Sequence, residues 1–140
     1  MDRRKYPFPI LAASGLLIED GKILLVKRKS PPSIGRWSLP GGVVEKGESL
    51  KDAVKREFFE ETSLSVEVVK LLTVYEKIEV QEDKVGYHYV ILLYLLEYIN
   101  GSLKANDDAK DASFFSRDEI MGLNLTDGLI EVLDDAFEKI

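Results

Sequence analysis

The sequence predicts an α/β fold in which a mixed β-sheet lies between helices, an α/β/α sandwich. Three observations carry that expectation. Paired β-rich runs flank Asp20-Gly21, a stretch of helical period follows at 48–62, and two long apolar runs rich in Tyr, Val and Ile precede a helical C-terminal region.

Taken in order, residues 10–18 and 23–28 read as strands joined by "EDGK", whose Asp20-Gly21 suits a tight hairpin turn, so the two pair antiparallel. "KSPPSIGR" at 29–36 is a loop, and "WSLPGG" brings a short strand to a tight turn at Gly41-Gly42. "ESLKDAVKREFFEET" reads as helix: Leu50, Val54 and Phe58 recur every four residues as its buried stripe, while Glu57, Glu60 and Glu61 project from another sector. Strands follow at about 65–80 and 87–99, joined by "QEDKVG"; the second is too apolar for an exposed edge and belongs in the middle of the sheet. Asn100-Gly101 turns the chain into the acidic loop "KANDDAKDA", and "SFF" at 113–115 is a last short strand. Ser116 with Glu119 forms a capping box, and 117–122 and 126–139 read as helices.

Without repeats or a low-complexity tail, the 140 residues are expected to form a single domain, 1–140. The absence of cysteine removes disulfides and thiolate chemistry and suits a cytoplasmic setting. One histidine, His88, is too few for a histidine-based metal site. A net charge of −6 argues against binding to nucleic-acid polymers or anionic membranes, and leaves room for a small phosphate ligand. The longest apolar run, "YVILLYLL" at 89–96, falls well short of the about 20 residues that span a bilayer, so a soluble protein is expected. The N-terminal "YPFPI" and the apolar strand edges are compatible with a homodimer.

The string "REFFEE" at 56–61 raises the chemical question, because like charges three and four positions apart on a helix repel. Glu57, Glu60 and Glu61 can approach one point off the helix surface, and a hard divalent cation there turns their repulsion into attraction. Gly41-Gly42 just upstream lack the Cβ atoms that would keep their carbonyls from a metal. The plain alternative is a solvated face with Arg56 as local compensation.

The wider spacing bears on that choice. From Gly42 five residues lead to Glu48, seven more to Arg56, then Glu57, Phe58, a free position, Glu60-Glu61, a free position, Ser63 and Leu64. This string at 42–64 resembles the Nudix hydrolase signature G-x5-E-x7-R-E-U-x-E-E-x-G-U, with Ser63 in place of the last glycine.

The resemblance implies a Nudix fold and a Mg²⁺-dependent, sometimes Mn²⁺-dependent, hydrolase of nucleoside diphosphates linked to another group. Carried over to this chain, Glu57, Glu60 and Glu61 bind metal directly or through water, with the Gly41 carbonyl as a further ligand. Gly42, Glu48 and Arg56 support them from behind. Ser63 is expected to shift the helix end slightly, since a glycine there supplies the left-handed conformation that closes the last turn.

Other positions have two readings each. Arg28, at the end of the second strand, matches a position where Nudix enzymes often place an arginine against substrate phosphates, and it also reads as a surface arginine; Arg36 is a weaker case of the same kind. Trp37 reads as core packing or as a stacking platform, and His88 as a packed, hydrogen-bonded side chain or a general base. Within the acidic loop, Asp108 is the candidate for an additional ligand or the base, against a solvated turn. The segment from 87 to 120 resembles small ADP-ribose pyrophosphatase-like members, which implies ADP-ribose as substrate, giving AMP and ribose 5-phosphate. A proline common in such enzymes after the box is absent between Leu64 and Ile99. That keeps nucleoside triphosphate and dinucleoside polyphosphate hydrolysis as alternatives, with a non-catalytic nucleotide sensor as a different class.

Overall fold

The computed structural model describes residues 6–29, 33–105 and 109–140. Its elements run β1 (Ile10–Glu19), β2 (Lys22–Arg28), β3 (Trp37–Ser38), β4 (Gly41–Val43), α1 (Leu50–Thr62), β5 (Ser65–Gln81), β6 (Lys84–Asn100), β7 (Ala109–Phe115), α2 (Arg117–Ile120) and α3 (Leu129–Glu138). The main strand order is β3-β2-β1-β6-β5, with β4 on β1 and β7 on β2. The sheet is mixed because β1 runs parallel to β6 from Ile10 opposite Tyr89 to Leu17 opposite Leu96, while the other pairings are antiparallel.

Alternation along the strands sorts the core into two layers. Ala13 and Leu17 of β1, Leu24 of β2 and Tyr94 and Leu96 of β6 pack against Ala53, Val54 and Phe58 of α1. On the opposite face Leu16, Ile23, Leu25 and Leu93 pack against Ile120, Leu129, Leu133 and Ala136. Helices on both sides of one sheet make the expected sandwich. Of the stripe expected on α1, Val54 and Phe58 are fully buried, whereas Leu50 at the helix start is half-buried.

Several local expectations are corrected. Gly41-Gly42 are not a tight turn: they open β4, with Gly41 opposite Ser14 and Gly42 opposite Ala13. A Cβ on Gly41 would collide with the Ala13 carbonyl oxygen and the Ser14 backbone, so the glycine is there for close strand approach. The β5–β6 connection is shorter than "QEDKVG", because Glu82 and Asp83 alone turn the chain, both with positive φ, 51° and 61°. β7 begins at Ala109 rather than 113, drawn out by its ladder with β2. The last two helices are shorter than expected, α2 ending at Ile120 and α3 starting at Leu129, because 124–126 is instead tied to β3: the Trp37 N–H donates to the Asn124 carbonyl at 2.8 Å, and the Thr126 N–H to the Trp37 carbonyl at 3.0 Å. The capping box at Ser116 and Glu119 is present. Ser63 adopts the left-handed conformation itself, φ 65°, and its N–H donates to the Phe59 carbonyl at 2.8 Å, so the helix end is closed rather than shifted.

Candidate active site

The helix α1 starts where the Ser49 hydroxyl accepts from the Asp52 N–H at 3.1 Å, and this fixes the rotation that aims Arg56 and the glutamates. Arg56 grips Glu48 with two bonds, Nε to Oε2 at 2.6 Å and Nη2 to Oε1 at 2.9 Å. Its Nη1 also donates to Glu57 Oε1 at 2.9 Å and Glu60 Oε2 at 3.2 Å, and Nη2 reaches the Val43 carbonyl at 3.2 Å. One guanidinium therefore ties the loop before α1, strand β4 and two of the helix carboxylates together. Hydrogen bonding to Arg56 holds the Glu48 carboxyl below its ordinary range, and bonding to Glu48 pushes the Arg56 pKa still higher, so this pair stays ionised.

Glu61 is 5% exposed, and its Oε2 accepts from the Gly41 N–H at 2.8 Å. A buried carboxylate that anchors an edge strand is unlike the projecting side chain the sequence suggests. Glu57 lies over Gly42, where an added Cβ would collide with its carboxyl group. Gly42 thus opens the place that Glu57 fills.

Both carboxylates face a cleft of about 170 Å³ that crosses the sheet toward α3. Ser14, Gly41 and Gly42 line the glutamate end; Arg28, Ser38, Lys77, Thr126 and Asp127 also face it. Tyr75, Tyr89 and Ile91 contribute from the strands. Burial pushes the Tyr75 hydroxyl up to about 12, against a smaller opposing effect of its hydrogen bond with Ser14, so the phenol stays protonated at neutral pH.

The sequence-predicted residues are divided by this geometry. Glu57, Glu61, Gly41, Gly42 and Arg28 line the cleft, and Glu48 and Arg56 stand behind it. Glu60 does not line the cleft; it is 40% exposed and held by Arg56. Among the described residues no three acidic or histidine side chains converge on one metal-sized point, so the expected meeting of all three glutamates is not preformed; Arg56 lies between Glu57 and Glu60 instead. Arg36 does not line the cleft but pairs with Asp127 at 2.8 Å. Trp37 packs edge-on against Phe115, centroids 4.9 Å apart, which favours its core reading. His88 of β6 bonds Glu76 of β5 at 2.9 Å in a half-exposed position and does not line the cleft. Asp108 lies outside the described residues. Sequence reasoning missed Lys77, Ser38, Tyr75 and the 126–132 wall, which carry no motif; the alternation of β5 and β6 was the available signal for Tyr75, Lys77 and Tyr89.

The NUDIX domain matches residues 9–136. The chain belongs to the Nudix hydrolase family. An ADP-ribose pyrophosphatase from Methanocaldococcus jannaschii is 46% identical over 112 residues, 80% of this chain and 64% of that protein. An 8-oxo-dGDP phosphatase from Danio rerio is 34% identical over 92 residues, 66% of this chain and 26% of that protein. This chain thus spans less than two thirds of either relative's length. Among solved structures, a MutT NUDIX hydrolase from Burkholderia pseudomallei has a TM-score of 0.81 at 30% identity, covering 95% of this chain and 98% of that one. Nudix hydrolases generally use a divalent metal and act on small nucleotides. The donors here fit such an ion in kind, since Glu57 and Glu61 in the cleft and Glu60 on the same helix offer hard carboxylate oxygens. No helix among the described residues is long and apolar enough to cross a membrane.

Proposed function

We propose that this Nudix domain is a Mg²⁺-dependent pyrophosphohydrolase, with Mn²⁺ as a substitute ion, that converts ADP-ribose and water to AMP and ribose 5-phosphate. One observation carries the reading: a single cleft has the carboxylates Glu57 and Glu61 and the cation Arg28 in its lining, an arrangement suited to a charged diphosphate. The ADP-ribose pyrophosphatase of M. jannaschii supports the choice of substrate.

Glu57, Glu61 and, after release from Arg56, Glu60 would hold the metal, with the Gly41 carbonyl as a further ligand. When bound, the ion neutralises pyrophosphate charge and lowers the pKa of the attacking water. The residues of the chain supply the rest. The Gly41 N–H fixes Glu61, Arg56 fixes Glu57 against Gly42, and Arg28 binds phosphate oxygens. The water oxygen forms a bond to one phosphorus, the bridging oxygen leaves with the other phosphate, and the proton passes to a carboxylate, Glu57 or Asp108. We place this chemistry in one domain, 1–140, acting in the cytoplasm on a small nucleotide. Exposed Phe8, Val74 and Ile78, at 72%, 51% and 55%, support a homodimer.

A second reading, pyrophosphate release from a nucleoside triphosphate, is favoured by the missing proline between Leu64 and Ile99. Product analysis by ion-exchange chromatography separates the two, using ADP-ribose and a nucleoside triphosphate panel with Mg²⁺ or EDTA. AMP formed from ADP-ribose only with metal supports the first. Monophosphate and pyrophosphate from a triphosphate, without ADP-ribose cleavage, replaces it with the second.

A further inference from the structure

We propose that Lys77 is a substrate-binding residue that forms, together with Arg28, an anion subsite in the cleft for the nucleotide's phosphate chain, apart from the carboxylates Glu57 and Glu61. The nature of the ligand rests on the pyrophosphohydrolase reading; the place rests on separate observations. Lys77 on β5 stands opposite Tyr89 of β6 in the strand register, and both side chains line the cleft together with Arg28. Lys77 is half withdrawn from water. The charges that act on it are positive Arg28 and Arg36 and negative Asp127 and Glu79. Asp127 is engaged by Arg36 at 2.8 Å, and Glu79 is exposed. Burial first, then Arg28, pushes the Lys77 ammonium below the ordinary lysine range.

Arg28 disfavours the charge on Lys77, and an anion bound beside both side chains offsets that effect on Lys77. Ser38 also lines the cleft, with its hydroxyl oxygen buried and without a hydrogen-bond partner among the described residues. Neither residue belongs to the signature at 42–64. Lys77 acts on ground-state binding, so its removal raises KM more than it lowers kcat.

The test compares wild type, Lys77→Met and Lys77→Arg by calorimetric titration with ADP-ribose and with ATP in EDTA, which needs neither metal nor turnover. Lys77→Met is expected to bind roughly tenfold to a hundredfold more weakly, the range for one lost charge-assisted contact. Lys77→Arg should stay within about threefold, since a guanidinium keeps the charge. In protein carrying ¹³C-labelled lysine, the Lys77 ε-carbon should titrate at higher pH when ADP-ribose is bound, a response that a purely structural lysine does not give. Lys77→Met binding both nucleotides as wild type does, or an unmoved Lys77 titration at saturation, would overturn the subsite. Tight binding that depends on Lys77 without turnover of any nucleotide would support the subsite and count against the hydrolase reading. A wild type that binds neither nucleotide in EDTA overturns the subsite and leaves the metal-dependent hydrolase reading to its own product analysis.

Discussion

The glutamate side and the cation side of the cleft are built in opposite ways. On the first, Arg56 donates to Glu48, Glu57 and Glu60, and Gly41 donates to Glu61, so most of the charge is already paired and held by hydrogen bonds. On the second, Arg28 and Lys77 share the wall, and the nearby Asp127 is already taken by Arg36. The first side spends its order on fixing geometry before a ligand arrives. The second gathers cationic side chains from separate strands in the lining of the cleft. Position-sensitive chemistry needs the former, and attraction of a charged substrate is served by the latter.

The comparison can be broken first at Glu61. Glu61→Gln keeps an acceptor for the Gly41 N–H but removes the negative charge, so turnover should fall roughly a hundredfold to a thousandfold, the range for loss of one preorganised electrostatic contact. Thermal denaturation should show a stability change within about 1 kcal/mol. A comparable loss of folding would mean that Glu61 serves the strand edge alone.

Arg56→Met tests whether the pairing on this side matters as a unit. Metal affinity should drop about tenfold to a hundredfold, because the partners of the ligands lose their support. Stability should drop by roughly 1–3 kcal/mol, since Glu48 and Glu57 keep partly buried charge without a partner. The same pair predicts a pH dependence. Glu48 has a folded pKa below its ordinary 4.5, so its contribution is fully present above about 4.5 and is lost as pH falls through the lower folded value. Denaturation curves in acid should therefore converge for wild type and Glu48→Gln, and separate again toward neutrality.

Gly42→Ala sharpens the distinction between geometry and stability. Its new Cβ meets the movable end of Glu57, so the carboxylate should swing aside with about tenfold less activity and under 1 kcal/mol of stability lost. Gly41→Ala instead meets the β1 backbone and should destabilise the fold, which a melting curve would reveal. The smallest effect on activity is expected at Ser63, away from both sides. Ser63→Gly should stabilise by about 1 kcal/mol at its φ of 65° and leave activity unchanged.

What could be read from the chain follows the same division. The glutamate side is encoded within 42–64 by residues at helical spacing, so which residues gather there was legible from the string, whereas the bonding of Arg56 to Glu48 was not. Its strand was not: Gly41-Gly42 looks like a turn locally, and only the long β1 explains why it is paired. The parallel β1–β6 register was likewise invisible, since it joins residues about 80 positions apart and leaves no local mark. The cation side gathers Arg28, Lys77 and 126–132 from β2, β5 and the approach to α3, and only the first drew notice. The burial of Glu61 was hidden because a glutamate on a helix is ordinarily exposed, and its partner, a backbone N–H, has no sequence signature.

The chemistry proposed for the cleft depends on metal binding at the glutamate side. Mn²⁺ binding followed by electron paramagnetic resonance, in wild type, Glu61→Gln and Gly42→Ala, tests it without a substrate. The account predicts saturable binding in wild type, at least about tenfold weaker in Glu61→Gln, with Gly42→Ala between them. Equal affinity in wild type and Glu61→Gln would contradict it and leave Glu57 and Glu60 as a structural cluster held by Arg56, with Glu61 serving to anchor Gly41.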